Sequence, residues 1–362
     1  MKIIVSAGGT GGHIYPALAI IEEFKRCEKE IDVLYIGTHN RMEKDIIPAH
    51  GIKYEPIKIY GFSKTMIKRD IKNLYYIVSS YNRCVEIMKE FKPDIVIGVG
   101  GYVTFPVIMA AKRLGIKTCI HEQNSIPGKA NKFLSASVDI IFTSFKDSNK
   151  YFKNNHIVYS GNPSGDNVKN LDSIDPTIYG LNKDSKKVLI TCGSLGSSGL
   201  NNKLIDYLNN VDGYQVLFVS GKNNYDSMRK LINNKNVFIV DYINNQAGIL
   251  KNMDVIISRA GASTLSEIIM AGVPSLIIPS PNVSNNHQYY NALSLSNLGC
   301  IVMLEEKDIN KEVIEENVLE LLNNNMKRSQ IKNKLKENKI TNSSNIIYKE
   351  IKKILWINME KY

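Results

Sequence analysis

The sequence has no long hydrophobic run. No stretch approaches the roughly 18 uninterrupted apolar residues that mark a membrane-spanning helix. The N-terminus also lacks the signal-peptide pattern of a basic start, a long apolar segment and a small-residue cleavage site. These two absences predict a cytoplasmic protein that does not cross the membrane.

Cysteine is scarce and scattered. The chain of 362 residues contains five cysteines, and no two of them form a CxxC pair. This spacing argues against a zinc site and against a disulfide framework. We expect the thiols to be reduced and mostly to fill the core; they are Cys27, Cys84, Cys119, Cys192 and Cys300.

Acidic residues are fewer than basic ones, and the formal net charge is +11. Residues 1–163 carry 23 basic and 15 acidic side chains, whereas the rest of the chain carries 23 and 20. This asymmetry fits an anionic partner such as a phosphorylated substrate, an acidic membrane surface or nucleic acid. Because no helix-turn-helix, zinc-finger or aromatic RNP-like signature is present, we expect no nucleic-acid partner.

Short β-branched runs alternate with helical patterns along the chain, which is typical of parallel βαβ units. A polar stretch at residues 161–187 interrupts the alternation, and each half opens with a strand, a Gly/Ser turn and a helix. We therefore predict an α/β protein with two Rossmann-like domains facing each other across a cleft. The runs are KIIV, DVLYIG, PDIVIGV, KTCIH, DIIFTS and IVYSG, then KVLITC, YQVLFVS, NVFIV, DVIISRA and PSLIIP.

The predicted domain limits follow from this break. Residues 1–163 form an N-terminal domain, and residues 164–340 form a C-terminal domain. Residues 341–362 form a C-terminal helix that is expected to pack back on the N-terminal domain.

Residues 6–13, SAGGTGGH, place four glycines between a strand and a helix. Such a turn lets backbone N–H groups approach an anion or a sugar, and the helix N-terminus adds partial positive charge. His13, at the helix start, is a candidate ligand contact, acid or base. The alternative is a simple tight turn in which His13 is a helix-start hydrogen bonder.

Two further segments place similar chemistry at strand ends. Residues 98–111, GVGGYVTFPVIMAA, repeat the strand, Gly-Gly, helix pattern, with Pro106 in a first helical turn. Residues 121–124, HEQN, are four consecutive polar side chains at the end of an apolar strand, where open α/β sheets bind ligands. For residues 98–111 the alternative is ordinary packing of a helix on a strand. For residues 121–124 the alternative is a polar loop without a functional role.

The second half carries a candidate nucleotide site. Residues 193–199, GSLGSSG, offer backbone donors and a hydroxyl ahead of a helix, which suits a phosphate. Thr264 and Glu267 match a capping box, but Glu267 could instead accept hydrogen bonds from a ribose diol while the helix faces a diphosphate. Gln288 and Asn291 lie three residues apart on one helix face, and amides suit sugar hydroxyls.

A basic cluster lies at residues 58–72, KIYGFSKTMIKRDIK, with five basic side chains against one acidic. It suits an anionic membrane surface, and the alternative is a solvated basic loop. The membrane-facing residues would be Phe62, Lys64, Met66, Ile67, Lys68, Arg69 and Lys72. The apolar residues that follow have helical spacing and are expected in the core; they are Ile71, Leu74, Tyr75, Val78, Tyr81, Val85 and Met88.

The motifs together resemble the MurG family of glycosyltransferases. In chain order they read GGTGGH, GGYVTFP, HEQN, GNP, GSLG, RAGASTLSE and NHQYYNA, and they cover nearly the whole chain. The resemblance implies a GT-B fold and transfer of N-acetylglucosamine (GlcNAc) from UDP-GlcNAc to undecaprenyl-pyrophosphoryl-MurNAc-pentapeptide (lipid I), which yields lipid II for peptidoglycan. It implies no metal and no cofactor.

The resemblance also implies a location and partners. The N-terminal domain would hold the lipid-linked acceptor at the cytoplasmic face of the cell membrane, as a peripheral protein, and the C-terminal domain would hold UDP-GlcNAc. Proteins of cell-wall synthesis are further partners that it allows.

Site roles are carried over position by position. Ser194 would touch the diphosphate, Ile243 would read the uracil edge through its backbone, and Gln288 would bind the GlcNAc hydroxyls beside Asn291. His13 and Glu122 are the titratable groups nearest the expected reaction centre, and the choice of base between them stays open. The nucleotide would be lined by Ala262, Ser263, Thr264, Leu265, Ser266 and Glu267, and the donor sugar approached by Thr10, Gly11, Gly12 and Asn124.

Three positions depart from the family pattern. Leu195 replaces a glutamine, Ser164-Gly165 stands where an arginine follows GNP, and Phe62-Ser63-Lys64 stands where an arginine follows the YG turn. The first two weaken the expected donor contacts.

The competing functions are a UDP-GlcNAc 2-epimerase, a glycolipid glycosyltransferase and a non-catalytic UDP-GlcNAc-binding protein.

Overall fold

The computed structural model describes residues 1–61, 67–153, 156–192 and 197–359; for residues 67–71, 170 and 357–359 it describes the backbone alone. The chain divides into two compact units. The first unit comprises Met1–Ser164 together with Asn342–Tyr362, and the second comprises Gly165–Thr341.

The first unit is built on a parallel sheet whose strands lie in the order β3-β2-β1-β4-β5-β6-β7. The strands are β1 (Lys2–Ser6), β2 (Asp32–Thr38), β3 (Lys53–Ile57), β4 (Ile95–Gly98), β5 (Lys117–Glu122), β6 (Ile140–Thr143) and β7 (Ile157–Tyr159). The helices that connect them are α1 (Gly11–Cys27), α2 (Glu43–Ala49), α3 (Ile67–Phe91), α4 (Thr104–Arg113) and α5 (Lys129–Leu134).

Alternate residues of the central strands feed two hydrophobic cores, one on each face of this sheet. Ile3 and Val5 of β1 are fully buried on the face that α1 covers, whereas Ile4 is fully buried on the face that α3 and α4 cover. Because both faces are covered, the central strands read as continuous apolar runs.

The second unit contains a smaller parallel sheet in the order β10-β9-β8-β11-β12-β13. Its strands are β8 (Lys187–Thr191), β9 (Gln215–Val219), β10 (Val237–Val240), β11 (Val255–Ser258), β12 (Ser275–Ile277) and β13 (Val302–Met303). Its helices are α6 (Asn167–Asn170), α7 (Ser198–Asn209), α8 (Tyr225–Leu231), α9 (Gln246–Leu250), α10 (Ala262–Ala271), α11 (His287–Asn297), α12 (Lys311–Asn323) and α13 (Asn325–Glu337).

The last helix, α14 (Ser343–Met359), belongs to the first unit and packs on α1. Tyr348 lies edge-to-face against Phe24, with ring centroids 5.1 Å apart. The Glu28 carboxylate accepts hydrogen bonds from the Tyr348 hydroxyl at 2.8 Å and from Lys352 Nζ at 2.7 Å. Ile347 is fully buried at the same contact, so α14 completes the core around α1.

The eleven strands predicted from apolar runs are confirmed, and the described part of the chain contains two more. β3 was not predicted because its sequence, KYEPI, is largely polar and contains Pro56. It lies at the edge of the first sheet, where a proline and polar side chains are tolerated. β13 has two residues, which is too short to produce a pattern.

The prediction that the apolar residues of α3 all lie in the core was wrong for three of them. Leu74, Tyr75 and Val78 are 57%, 71% and 60% exposed, whereas Met88 is 1% exposed. The helix has 25 residues and is therefore about 37 Å long. The longest strand of the sheet, β2, has 7 residues and spans only about 23 Å. Its C-terminal half packs on the sheet, and its earlier turns present apolar side chains outward.

Neither a membrane-crossing helix nor a metal-binding cluster was found in the described ranges. None of the helices there is both long and apolar enough to cross a bilayer. Within the same ranges, no three His, Cys, Asp or Glu side chains are grouped so that they could hold a metal ion.

Candidate functional site

In the first unit, the turns that follow β1 and β4 touch each other at the carboxyl ends of these neighbouring strands. The Gly8 N–H donates to the Gly100 carbonyl at 3.2 Å. A Cβ on Gly101 would lie 2.5 Å from the Gly8 carbonyl oxygen, and both Gly100 and Gly101 have positive φ values, of 104° and 86°. The connections from β1 and β4 run to opposite sides here, at the switch point where open α/β sheets bind ligands.

His13 lies in the first turn of α1, directly over this contact. Its Nδ1 donates a hydrogen bond to the Gly8 carbonyl at 3.1 Å. A carbonyl oxygen can only accept a hydrogen bond, so Nδ1 must carry the proton when the ring is neutral. Nε2 is then unprotonated and has a lone pair available to accept a proton. The ring packs against Gly100, where a Cβ would come within 3.0 Å of Nε2.

The HEQN segment ends β5 beside the same turns, and two of its side chains are structural. The amide of Gln123, which is 1% exposed, donates to the Val99 carbonyl at 2.8 Å and to His121 Nδ1 at 2.9 Å. His121 Nε2 donates to the Gly161 carbonyl at 3.0 Å. Burial lowers the pKa of His121 to about 4, and His13 contributes to this shift. His121 is therefore a neutral, fixed side chain.

Glu122 is buried and fully engaged. Its oxygens accept four hydrogen bonds: from the Asn124 N–H at 2.9 Å, the Asn124 side-chain amide at 3.2 Å, the Gly128 N–H at 3.0 Å and the Asn131 amide at 2.9 Å. Burial raises the pKa of this carboxyl, and these bonds oppose the shift. The carboxylate holds the loop after β5 and fixes the position of Asn124.

In the second unit, the capping-box interpretation of Glu267 is wrong. Helix α10 begins at Ala262 with Gly261 as its N-cap, and no side chain caps it. A capping box would need Thr264 at the N-cap, but Thr264 and Glu267 lie inside the helix. The Gly261 carbonyl accepts the first helical hydrogen bond, from the Leu265 N–H at 2.9 Å.

The Glu267 side chain is only partly exposed, and in the described part of the chain its carboxyl has no hydrogen-bond partner. Burial raises its pKa to about 8. An acidic group kept from water without a protein partner near a helix N-terminus is a candidate contact for a polar ligand.

Two other predicted contacts of this unit, Asn291 and Gln288, hydrogen-bond to the backbone. Asn291 is fully buried, and its amide donates to the Ala260 carbonyl at 3.2 Å. The Gln288 side-chain oxygen accepts from the Ser280 N–H at 2.9 Å, which leaves its NH₂ group as the donor end. The Ile243 side chain is 3% exposed, so a ligand contact there would use the backbone, as predicted.

Arg259 was not selected from the sequence, although it stands within the quoted motif RAGASTLSE. Its guanidinium is 2.6 Å from a Glu306 carboxylate oxygen and donates to the Ser197 hydroxyl at 2.8 Å. The side chain is 7% exposed. Arg259 therefore ties the turn after β11 to the start of α7.

Gly165 stands where the family pattern has an arginine. A Cβ there would collide with Ser266 Oγ and lie 2.9 Å from Met270 Cγ, so helix α10 occupies the space that a side chain would need.

Several residues selected from the sequence lie outside the described residues; they are Ser194, Leu195, Phe62, Lys64 and Met66. Helix α3 contains Ile67, Lys68 and Arg69, but only the backbone of residues 67–71 is described.

Comparisons with known proteins identify the family of the chain. The family model for the glycosyltransferase family 28 N-terminal domain matches residues 3–143, and the model for the corresponding C-terminal domain matches residues 187–347. A UDP-N-acetylglucosamine--N-acetylmuramyl-(pentapeptide) pyrophosphoryl-undecaprenol N-acetylglucosamine transferase of Bacillus cytotoxicus is 39% identical over 98% of this chain and 100% of its own length. The chain belongs to the MurG family of glycosyltransferases.

Further relatives support the family and the fold. The enzyme of the same name from Halalkalibacterium halodurans is 40% identical over 89% of this chain and 91% of its own. The crystal structure of Acinetobacter baumannii MurG matches with a TM-score of 0.79 at 25% identity, covering 97% of this chain and 99% of that one. A Neisseria meningitidis UDP-GlcNAc 2-epimerase, at 16% identity and a TM-score of 0.70 over 98% and 100% of the two chains, shares the fold. The predicted GT-B class with two Rossmann-like domains is confirmed.

The raised pKa of Glu267 makes stability depend on pH. The unfolded chain loses this proton near pH 4.5 and the folded chain near pH 8, so the free energy of unfolding falls as the pH rises between these values. We expect the Tm of the wild type to fall more between about pH 5 and about pH 9 than the Tm of Glu267→Gln, whose side chain does not ionise. Thermal unfolding followed by circular dichroism measures this.

The exposed Glu312, in the first turn of α12, supplies the control. Glu312→Gln should keep the pH dependence of the wild type. Parallel Tm curves for the wild type and Glu267→Gln would contradict the burial of Glu267.

Proposed function

We propose that the chain transfers GlcNAc from UDP-GlcNAc to the MurNAc 4-hydroxyl of lipid I and so forms lipid II for peptidoglycan. The observation that carries the proposal is the full-length match to transferases named for this reaction, together with the histidine held at the switch point of the first unit. We assign acceptor binding to the first unit and donor binding to the second.

The stereochemistry defines what the residues must do. GlcNAc is α-linked in UDP-GlcNAc and β-linked in lipid II, so the acceptor hydroxyl attacks C1 directly and the configuration inverts. A base must take the proton of that hydroxyl, and the departing UDP must be stabilised. The N-termini of α7 and α10 supply partial positive charge for the diphosphate.

We infer that His13 is the base. Its Nδ1 donates to the Gly8 carbonyl, which gives Nε2 the lone pair that accepts a proton. Glu122, the other candidate, spends both oxygens on four donors that hold its own loop, and proton uptake there would disrupt these bonds. In this proposal Glu122 positions Asn124, which approaches the donor sugar beside Thr10, Gly11 and Gly12.

Glu267 is proposed to bind the ribose of the donor. Its side chain is partly exposed, and burial raises the pKa of its carboxyl. Because this carboxyl lacks a hydrogen-bond partner in the described part of the chain, its oxygens could accept hydrogen bonds from the two ribose hydroxyls. Gln288 would turn its NH₂ group toward the GlcNAc hydroxyls. Ser194 would contact the diphosphate and Ile243 the uracil.

The basic cluster at residues 58–72 is followed by the exposed apolar side chains Leu74, Tyr75 and Val78 on α3, and Lys72 beside them is also exposed. Basic residues next to exposed apolar ones favour an anionic bilayer surface. We infer that this part of the first unit binds the membrane peripherally, where the pyrophosphate of lipid I lies.

Release of UDP from UDP-GlcNAc with a short-chain lipid I analogue tests the reaction. The wild type should release UDP only when the acceptor is present. His13→Ala should lower kcat about 100-fold or more, because the proton acceptor is lost, while UDP affinity changes little. Near-wild-type turnover of His13→Ala would remove His13 from the role of base, and no turnover by the wild type would reject the function.

Donor kinetics test Glu267. Glu267→Ala should raise the KM for UDP-GlcNAc because a contact to the ribose is lost. Since no cap is lost, unfolding should not show a capping penalty of about 1 kcal/mol. An unchanged KM would argue against ribose binding, and Glu312→Ala in the same unit serves as the control for a lost carboxylate.

Vesicle sedimentation tests the membrane surface. The wild type should pellet with anionic vesicles, remain in solution with neutral ones, and be released by added salt because the attraction is electrostatic. Replacing the basic cluster by alanine at Lys64, Lys68, Arg69 and Lys72, or the apolar patch by serine at Leu74, Tyr75 and Val78, should abolish pelleting.

A second quadruple variant controls for the loss of four positive charges. It changes lysines of α13 and α14 and should pellet like the wild type; the positions are Lys332, Lys336, Lys349 and Lys353. Equal loss of pelleting in both quadruple variants would mean that net charge, and not this surface, drives binding.

A further inference from the structure

Glu43 is a buried carboxylate beside the first glycine-rich turn, and the sequence motifs do not include it. It opens α2, and its side chain is 0% exposed. Oε1 accepts from the Thr38 N–H at 3.1 Å and from the Thr38 hydroxyl at 2.5 Å. Oε2 accepts from the Gly9 N–H at 3.2 Å. The carboxylate thus joins the end of β2 to the turn that follows β1.

The bond to Gly9 continues to His13 through a single peptide group. The Gly9 N–H and the Gly8 carbonyl belong to the same planar unit. One edge of this unit donates to Glu43, and the opposite edge accepts from His13 Nδ1 at 3.1 Å. Rotation of the peptide would therefore break both bonds together.

Glycine makes this peptide dependent on its hydrogen bonds. Gly9 has a φ of 94°, and no atom lies within 4 Å of the position that its Cβ would occupy. A glycine in open space has several accessible conformations, so local sterics do not select this one. Glu43 also packs against Gly8, where a Cβ would lie 2.6 Å from Oε1.

We propose that Glu43 is a positioning residue for His13. Its carboxylate orients the Gly8–Gly9 peptide, and the carbonyl of that peptide then holds the His13 ring with its proton on Nδ1. A negative charge at the N–H edge also polarises the peptide and strengthens its carbonyl as an acceptor. A carboxylate that orients a catalytic imidazole is a familiar arrangement, and here a peptide group lies between the two. The expected effect of Glu43 on catalysis rests on the proposed role of His13 as the base. Its effect on the orientation of the His13 ring does not depend on that role.

Glu43→Gln is the direct test. Glutamine has one acceptor oxygen for the three donors of Thr38 and Gly9, so its NH₂ group must face one of them. Ring ¹⁵N NMR, with the His13 signals assigned by their loss in His13→Ala, should show the wild type protonated on Nδ1 and the variant as a mixture of tautomers. The kcat should fall about 10- to 100-fold, the range found when the partner that orients a metal-ligating histidine is removed, with little change in the KM for UDP-GlcNAc.

Asp139 offers a matched control in the same sheet. It accepts from the Thr118 N–H at 2.8 Å and the Thr118 hydroxyl at 3.2 Å, and from Lys117 Nζ at 2.9 Å. This repeats the Glu43–Thr38 pattern, but at the amino end of β5, away from the turns. Asp139→Asn should lower Tm and leave the His13 tautomer and kcat unchanged.

Thr38→Val keeps the test decisive if Glu43→Gln does not fold. It removes only the hydroxyl donor to Oε1, so the His13 signals should shift in the same direction by a smaller amount. An unchanged His13 tautomer in whichever of these two variants folds, or a change in Asp139→Asn as large as in Glu43→Gln, would overturn the proposal.

The two proposals fail in different ways. A wild type that releases no UDP with the lipid I analogue rejects the proposed function and leaves the NMR result standing. If Glu43→Gln changes the His13 tautomer but keeps the wild-type kcat, the catalytic part of the inference is overturned. Glu43 would then orient His13, but catalysis would not require the Nδ1-protonated form.

Discussion

The site of the first unit depends on the contact between two glycine-rich turns. Gly8 donates to Gly100, and a side chain on Gly101 would reach the Gly8 carbonyl within 2.5 Å. That carbonyl is also the acceptor for His13 Nδ1, so the close approach of the turns and the direction of the imidazole both depend on Gly8. Any side chain that separated the turns would move His13 as well, so the two glycine-rich turns and the histidine are structurally coupled.

Much of the fold could be predicted from the sequence because parallel strands are buried on both faces and read as apolar runs. β3 could not, since an edge strand such as KYEPI needs neither continuous apolar character nor a full set of N–H donors. The outward apolar turns of α3 could not either: helical spacing is the same for a face that meets the sheet and for turns that extend beyond it.

The candidate site was predictable in position but not in the role of each residue. Strand-end glycines and polar residues have a sequence signal, because they interrupt apolar runs at an expected place. Glu43 has none: it stands in the polar segment RMEKD, and its burial follows from a tertiary contact with Gly9 and Thr38. Glu122 has the signal but spends its oxygens on its own loop.

The second unit shows the same separation between motif and role. Asn291 belongs to a segment that was predicted to bind sugar hydroxyls, yet its side chain is fully buried. Its amide donates to the Ala260 carbonyl and so fixes the turn that leads into α10. Arg259 holds the start of α7 from that same turn. These polar side chains therefore hold the starts of α7 and α10 in place through contacts within the protein itself. Gly165 packs closely on α10 as well, since a Cβ there would collide with Ser266 Oγ and lie 2.9 Å from Met270 Cγ. A larger side chain at residue 165 would therefore displace part of α10.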